Sequence, residues 1–434
     1  MSMKLRNRLI ALVCLILFLG IGAGLFLTTS AKKPFAVILF IGDGMSPAVL
    51  TASRLFAGGG NARLEMESLP NCALCRNAAN DFSVPESASA STEIAAGQRV
   101  NRGSLCIDPS GSKLPSLLEI ASSKGRSTGL VTTGRVTGIT AAAYYAKTQN
   151  AYDQSDLLHQ FSSHSPFDFV AGGGASDLET SADKTNGSNG SVKTVNALQH
   201  TPYFSSGVTT ILSMAELEKQ PLWEKTPLLA LLASGNLLPL GSGSEMTNQI
   251  SLSDIVRMAI QHLQSDKDGY LLVVDDPMIG AAASSNDGES MLGRILALDQ
   301  AVATARRYAG DNALIIVTGR ETIGGLQLNG YPFLGDKGVA ILAVNAQGNP
   351  SLCWSTGPGY SLEDTQVTSR SSQNGVMTNA HAQIGILTQP TAHNLPSALG
   401  VAGDVVVLGI GPGSDKLHGF LDLTDINRLI LEKL

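Results

Sequence analysis

Phe35-Ala36-Val37-Ile38-Leu39-Phe40-Ile41-Gly42-Asp43-Gly44-Met45 is an unbroken apolar run that stops on a Gly-Asp-Gly turn. A continuous apolar run, rather than an alternating one, marks a strand buried on both faces, as parallel strands are. Open α/β sheets bind ligands at the carboxyl ends of their strands, and Asp43 stands at such an end. The same pattern returns at 129–133, 167–171 (running into Gly172-Gly173-Gly174), 269–275, 313–319, 338–344 and 404–409. Helical periodicity separates these runs. Residues 289–308 offer Leu292, Ile295, Leu298, Val302 and Ala305 as one buried stripe, and 117–123 and 252–263 are further helices. Alternating strands and helices predict an α/β fold: a three-layer αβα sandwich with a large, mostly parallel central sheet. Asp43, Asp275 and Gly319 all fall at strand ends, so one site can unite them.

The chain has 434 residues, 43% hydrophobic and 15% charged, enough for a large core. A net charge of −6 supplies no basic field for nucleic acid. Lys4, Arg6 and Arg8 precede an apolar run from Leu9 to Leu27, closed by Lys32-Lys33. Residues 1–33 therefore read as an export signal or an N-terminal membrane anchor. The excess of cations before the run places residues 34–434, read as one domain, outside the cytoplasm, periplasmic or secreted. Cys14 lacks the small preceding residue of a lipoprotein signal. Cys72, Cys75, Cys106 and Cys353 read as a structural disulfide or as buried free thiols, since no second Cys-x-x-Cys pair supports zinc. Residues 175–200 and 350–400 lack strong periodicity and are expected to be loops or insertions.

Val84-Pro85-Glu86-Ser87-Ala88 leads into a Ser/Ala-rich helix. Ser87 there is either a capping residue or a nucleophile beside an anion-binding helix end.

In these motifs the chain resembles the alkaline phosphatase family over most of its length. Ile41-Gly42-Asp43-Gly44-Met45 matches the family's strand-end Asp motif, and Glu86-Ser87-Ala88 lies on its Asp-Ser-Ala nucleophile motif. Val131 through Ala146, Gly172-Gly173-Gly174, Val317 through Leu326 and Gly411-Pro412-Gly413 match later blocks. The resemblance implies a Ser nucleophile, two zinc ions, a supporting magnesium, a phosphate-clamping Arg and a homodimer. Followed residue by residue, Asp43, Ser87 and Thr140 are retained, and Asp275 stands for a Glu. The zinc block becomes Gly280 and Ser284, and the Asp-His pair becomes Gly319-Arg320. The last zinc imidazole falls at Gly400, the acidic or imidazole position before Thr140 at Gly138, and the clamping Arg at Ala151. His393 is the nearest histidine to the last ligand's segment.

Two dications lower hydroxyl pKa values and neutralise a charged transition state. Without zinc-binding imidazoles, the expectation is a weak or inactive phosphatase homologue that binds a small phosphorylated or anionic ligand. The alternative is an active phosphomonoester hydrolase with Ser87 as nucleophile, Arg320 as electrophile and one Mg²⁺ at Asp43, Thr140 and Asp275. Arg320 is expected either to pair with those carboxylates or to hold the ligand.

Overall fold

The computed structural model describes residues 35–163, 167–178, 207–221, 225–237, 250–329, 333–343, 350–359 and 389–434, with residues 3, 6–7 and 11–20 ahead of them. The strands are β1 Ala36–Gly42, β2 Asn71–Arg76, β3 Ser127–Arg135, β4 Phe169–Gly173, β5 Thr209–Ile211, β6 Leu228–Ala233, β7 Tyr270–Asp276, β8 Ala313–Thr318, β9 Thr322–Ile323, β10 Gln327–Leu328, β11 Leu352–Gly357, β12 Thr391–Asn394, β13 Gly400–Val401, β14 Val405–Ile410 and β15 His418–Asp422. Ten of them form one sheet in the order β15-β2-β14-β8-β1-β7-β3-β4-β6-β5. All neighbours run parallel except β14, which is antiparallel to β2 and β8.

β1 lies in the middle, and its side chains alternate between the two faces. Ala36, Ile38 and Phe40 join one core with the helices Pro47–Gly58, Leu252–Leu263 and Gly288–Ala309. Val37, Leu39 and Ile41 join a second core with the helices Ser87–Ala96, Leu117–Ser123 and Leu423–Leu431. Two cores divided by one sheet are the three-layer αβα architecture that the apolar runs predict. The register sets the site: Ile41 lies beside Asp275 of β7 on one side and Thr318 of β8 on the other. Asp43, Asp275 and Arg320 therefore leave the same edge of the sheet together.

Two expectations change, and the cysteine alternatives resolve to free thiols. The expected strand at 338–344 is not found where described: Gly338–Leu342 form a 3₁₀ helix whose Ile341 and Leu342 are buried in the first core. A short apolar run cannot be assigned by periodicity alone, and Gly338 takes a left-handed φ of 58° that breaks extension. Residues 350–400 are more ordered than a loop where described, since β11 and β12 make a small sheet with β10, and β13 pairs with β9. Residues 360–388, like 179–200 of the other expected insertion, lie outside the described residues. The cysteines are free thiols, and three-residue spacing along β2 turns Cys72 outward and Cys75 into the core. Most of the expected leader also lies outside the described residues. Its residues 11–20 are helical, and among the described residues no helix is long and apolar enough to cross a membrane.

The glycine triplet closes the sheet near the site. A Cβ on Gly173 would stand 1.8 Å from the Gly235 carbonyl oxygen. Gly173→Ala must push that segment away, and a loss of about 1–3 kcal/mol is expected in urea unfolding.

Candidate active site

At the edge where β1, β7 and β8 end, three charged side chains are nearly removed from water: Asp43, Asp275 and Arg320, the last only 1% exposed. The Arg320 guanidinium lies between the two carboxylates. Its Nη1 donates to Asp275 Oδ1 at 2.8 Å, and its Nη2 lies 3.0 Å from Asp43 Oδ2. The second contact is an ion pair off the hydrogen-bond line, and among the described residues Nη2, Nε and Asp43 Oδ1 have no hydrogen-bond partner. Thr140 Oγ1 donates to the other Asp275 oxygen at 2.5 Å. Burial opposes charge on Arg320, yet Asp43 and Asp275 more than offset it and hold the guanidinium protonated. Burial pushes the Asp43 carboxyl up against the pull of Arg320. One residue beyond Asp275, Asp276 accepts from the Thr133 hydroxyl, and burial pushes it up to about 6.

Ser87 opens the helix Ser87–Ala96, but it does not cap it. Glu86 does, accepting from the backbone N–H groups of Ala88 at 2.8 Å and Ser89 at 2.9 Å. Its carboxylate also accepts from Gly103 N at 2.9 Å. The helix end that would attract an anion is thus filled by the chain's own carboxylate. The Ser87 hydroxyl is left to donate to Glu321 Oε1 at 2.7 Å. Glu321 is 5% exposed. Burial, with Asp43 as a further cause, pushes its carboxyl up to about 8. The motif reading included Glu321 in the block from Val317 to Leu326 that resembles the family's Asp-His-Glu block, but gave it no role.

The positions that the resemblance gives to metal ligands are sterically closed or turned elsewhere. A Cβ on Gly280 would meet Asp43 Oδ2 at 2.3 Å, and one on Gly319 would meet the Met45 carbonyl oxygen at 2.6 Å. Ser284 donates to the Gly280 carbonyl oxygen at 2.9 Å. A Cβ on Gly400 would lie 3.8 Å from Glu321 Oε2, so this carboxyl faces the last imidazole position. A Cβ on Gly138 would stand 3.0 Å from the Arg135 carbonyl oxygen. Ala151 is fully buried, and His393 is exposed on β12. Among the described residues no group of three or more His, Cys, Asp or Glu side chains could hold a metal. Zinc wants imidazole or thiolate, and this donor set does not fit it. Asp43, Thr140 and Asp275 do come together as expected, but around a guanidinium.

Above this floor opens a cleft of about 740 Å³, lined by Asp43, Ser87, Thr140, Gly280, Ser284 and, further out, Arg135. Arg135 is the one cation among its described lining residues. It pairs with Asp177, whose other oxygen accepts from Thr137 at 2.6 Å.

A family model described as alkaline phosphatase matches residues 35–434. The chain belongs to the alkaline phosphatase family. The tissue-nonspecific isozyme of Gallus gallus is 26% identical over 440 residues, covering 88% of this chain and 81% of that protein. Alkaline phosphatase 4 of Bacillus subtilis (strain 168) is 25% identical over 425 residues, covering 92% and 88%. Among solved structures, alkaline phosphatase from the Antarctic bacterium TAB5 superposes with a TM-score of 0.67 at 20% identity, covering 92% of this chain and 98% of that one. The Thermus thermophilus enzyme gives 0.68 at 19%, covering 93% and 92%. The family normally uses divalent zinc and magnesium, which sharpens the contrast with a site built around Arg320.

Two outcomes follow from the electrostatics. Arg320→Met leaves two buried carboxylates without a cation and should cost about 3–5 kcal/mol in urea unfolding at neutral pH. Glu321 binds a proton more readily folded than unfolded between its ordinary 4.5 and about 8. Its contribution to stability therefore falls as pH rises through that window, and Glu321→Gln should flatten the fall in melts from pH 5 to 9.

Proposed function

We propose that this protein is a phosphatase homologue in which an arginine has taken the place of the metals, leaving a ligand-binding cleft with little metal-dependent phosphomonoesterase activity. The observation that carries this reading is the Arg320 guanidinium held at 2.8 Å from Asp275 and 3.0 Å from Asp43. A guanidinium neutralises buried carboxylates as a cation would, but it cannot activate a hydroxyl or coordinate a leaving oxygen. Losing those contributions removes several kcal/mol of transition-state stabilisation.

Arg320 is also a poor electrophile for a ligand, being buried and already paired. Arg135 is the better group to meet an anionic or phosphorylated ligand, because it is partly exposed and held in place by Asp177. The charge pattern from Lys4 to Lys33 supports a location outside the cytoplasm.

The test is metal content and p-nitrophenyl phosphate turnover of the full-length protein in detergent, with zinc and magnesium added, against Ser87→Ala. Substoichiometric zinc and no Ser87-dependent turnover are expected. Two bound zinc ions with Ser87-dependent turnover would overturn the reading.

A further inference from the structure

We propose that Ser87 and Glu321 form a metal-independent nucleophile–base pair, directed at esters whose reacting centre is uncharged. The assignment rests on the metal-free reading of the site and goes beyond it. Ser87 is half-buried and faces the cleft, where a ligand can reach it. Its hydroxyl donates 2.7 Å to a carboxylate oxygen supplied from 234 residues away, not to a neighbouring backbone carbonyl as idle helix serines do. A nucleophile within hydrogen-bond reach of a buried base is the geometry that nucleophilic catalysis requires.

Charge selects the substrate class. At the floor, Asp43, Asp275 and Glu86 place three carboxylates against the guanidinium of Arg320, while Arg135, paired with Asp177, lies further out in the cleft. A phosphate dianion at Ser87 itself meets a net negative floor, even where Arg135 holds an anionic group elsewhere on the ligand, whereas an uncharged reacting centre does not. The step balances with the groups present. The Ser87 oxygen bonds to the electrophilic centre as the bond to the leaving group breaks, and the Ser87 proton passes to Glu321. Glu321 gives that proton to the leaving group; water then attacks the adduct, giving a proton to Glu321, which passes it to the Ser87 oxygen as the bond to Ser87 breaks.

The probe is a neutral fluorophosphonate, which Ser87 attacks at phosphorus with loss of fluoride. Full-length protein in detergent and EDTA is treated with it, and the adduct is located by mass spectrometry. A single adduct on Ser87 is expected, absent in Ser87→Ala and formed about 10²-fold more slowly in Glu321→Gln. No Ser87 adduct, or equal rates in wild type and Glu321→Gln, overturns the pair. If Glu321→Gln does not melt as a folded protein, Glu321→Asp is used in its place, and a rate equal to wild type overturns the pair. An adduct that disappears in EDTA overturns the metal-free reading, whereas EDTA-resistant labelling unchanged in Glu321→Gln overturns only the base.

Discussion

Two carboxylates buried at one edge of a sheet cannot stay charged unless a cation is buried with them. β1 and β7 run in register, so Asp43 and Asp275 leave the sheet together whatever else the chain does. β8 on the far side of β1 brings the next residues to the same edge, and Arg320 is among them. The guanidinium answers the charge of the pair with one covalently attached group. Unlike an ion, it cannot leave, be exchanged or change its coordination. Much of the site's remaining architecture follows from accommodating it.

One such consequence is electrostatic. A single positive charge against two carboxylates leaves the floor of the cleft negative. Glu321, buried beside Asp43, then holds its proton to higher pH, with desolvation as the larger cause. The helix at Ser87 offers no relief, because Glu86 already occupies its N-terminal N–H groups. Ser87 is left with Glu321 as its partner. The guanidinium is thus linked to the Ser87 hydroxyl through two intervening carboxyl groups.

How much of this was legible in the sequence depends on distance along the chain. The apolar run to Asp43 revealed a central strand because burial on both faces leaves no polar position to alternate. The helix Gly288–Ala309 was legible from its buried stripe, which continues from Leu292 to Ala305. The 3₁₀ turn at Gly338–Leu342 was not, since a few apolar residues fit either a strand or a buried turn. Nor was the antiparallel direction of β14, which an apolar run does not encode. That Asp43, Thr140, Asp275 and Arg320 meet was readable from strand ends and motif spacing. The bond between Ser87 and Glu321 was not. It depends on how the helix start packs against the segment after β8, and no local pattern carries that information.

The glycines at 280 and 319 set how closely Asp43 and the end of β8 can pack. At Gly280 a side chain would begin 2.3 Å from an Asp43 oxygen, and at Gly319 it would begin 2.6 Å from the Met45 carbonyl. Asp43 can sit where it does because Gly280 has no Cβ, and it is held there by Arg320. An imidazole at position 320 would remove the cation that holds Asp43 in place, while Gly280 and Gly319 would still leave no room for a side chain. The site is therefore better described as a coherent alternative packing of the phosphatase scaffold than as the family's site with pieces missing.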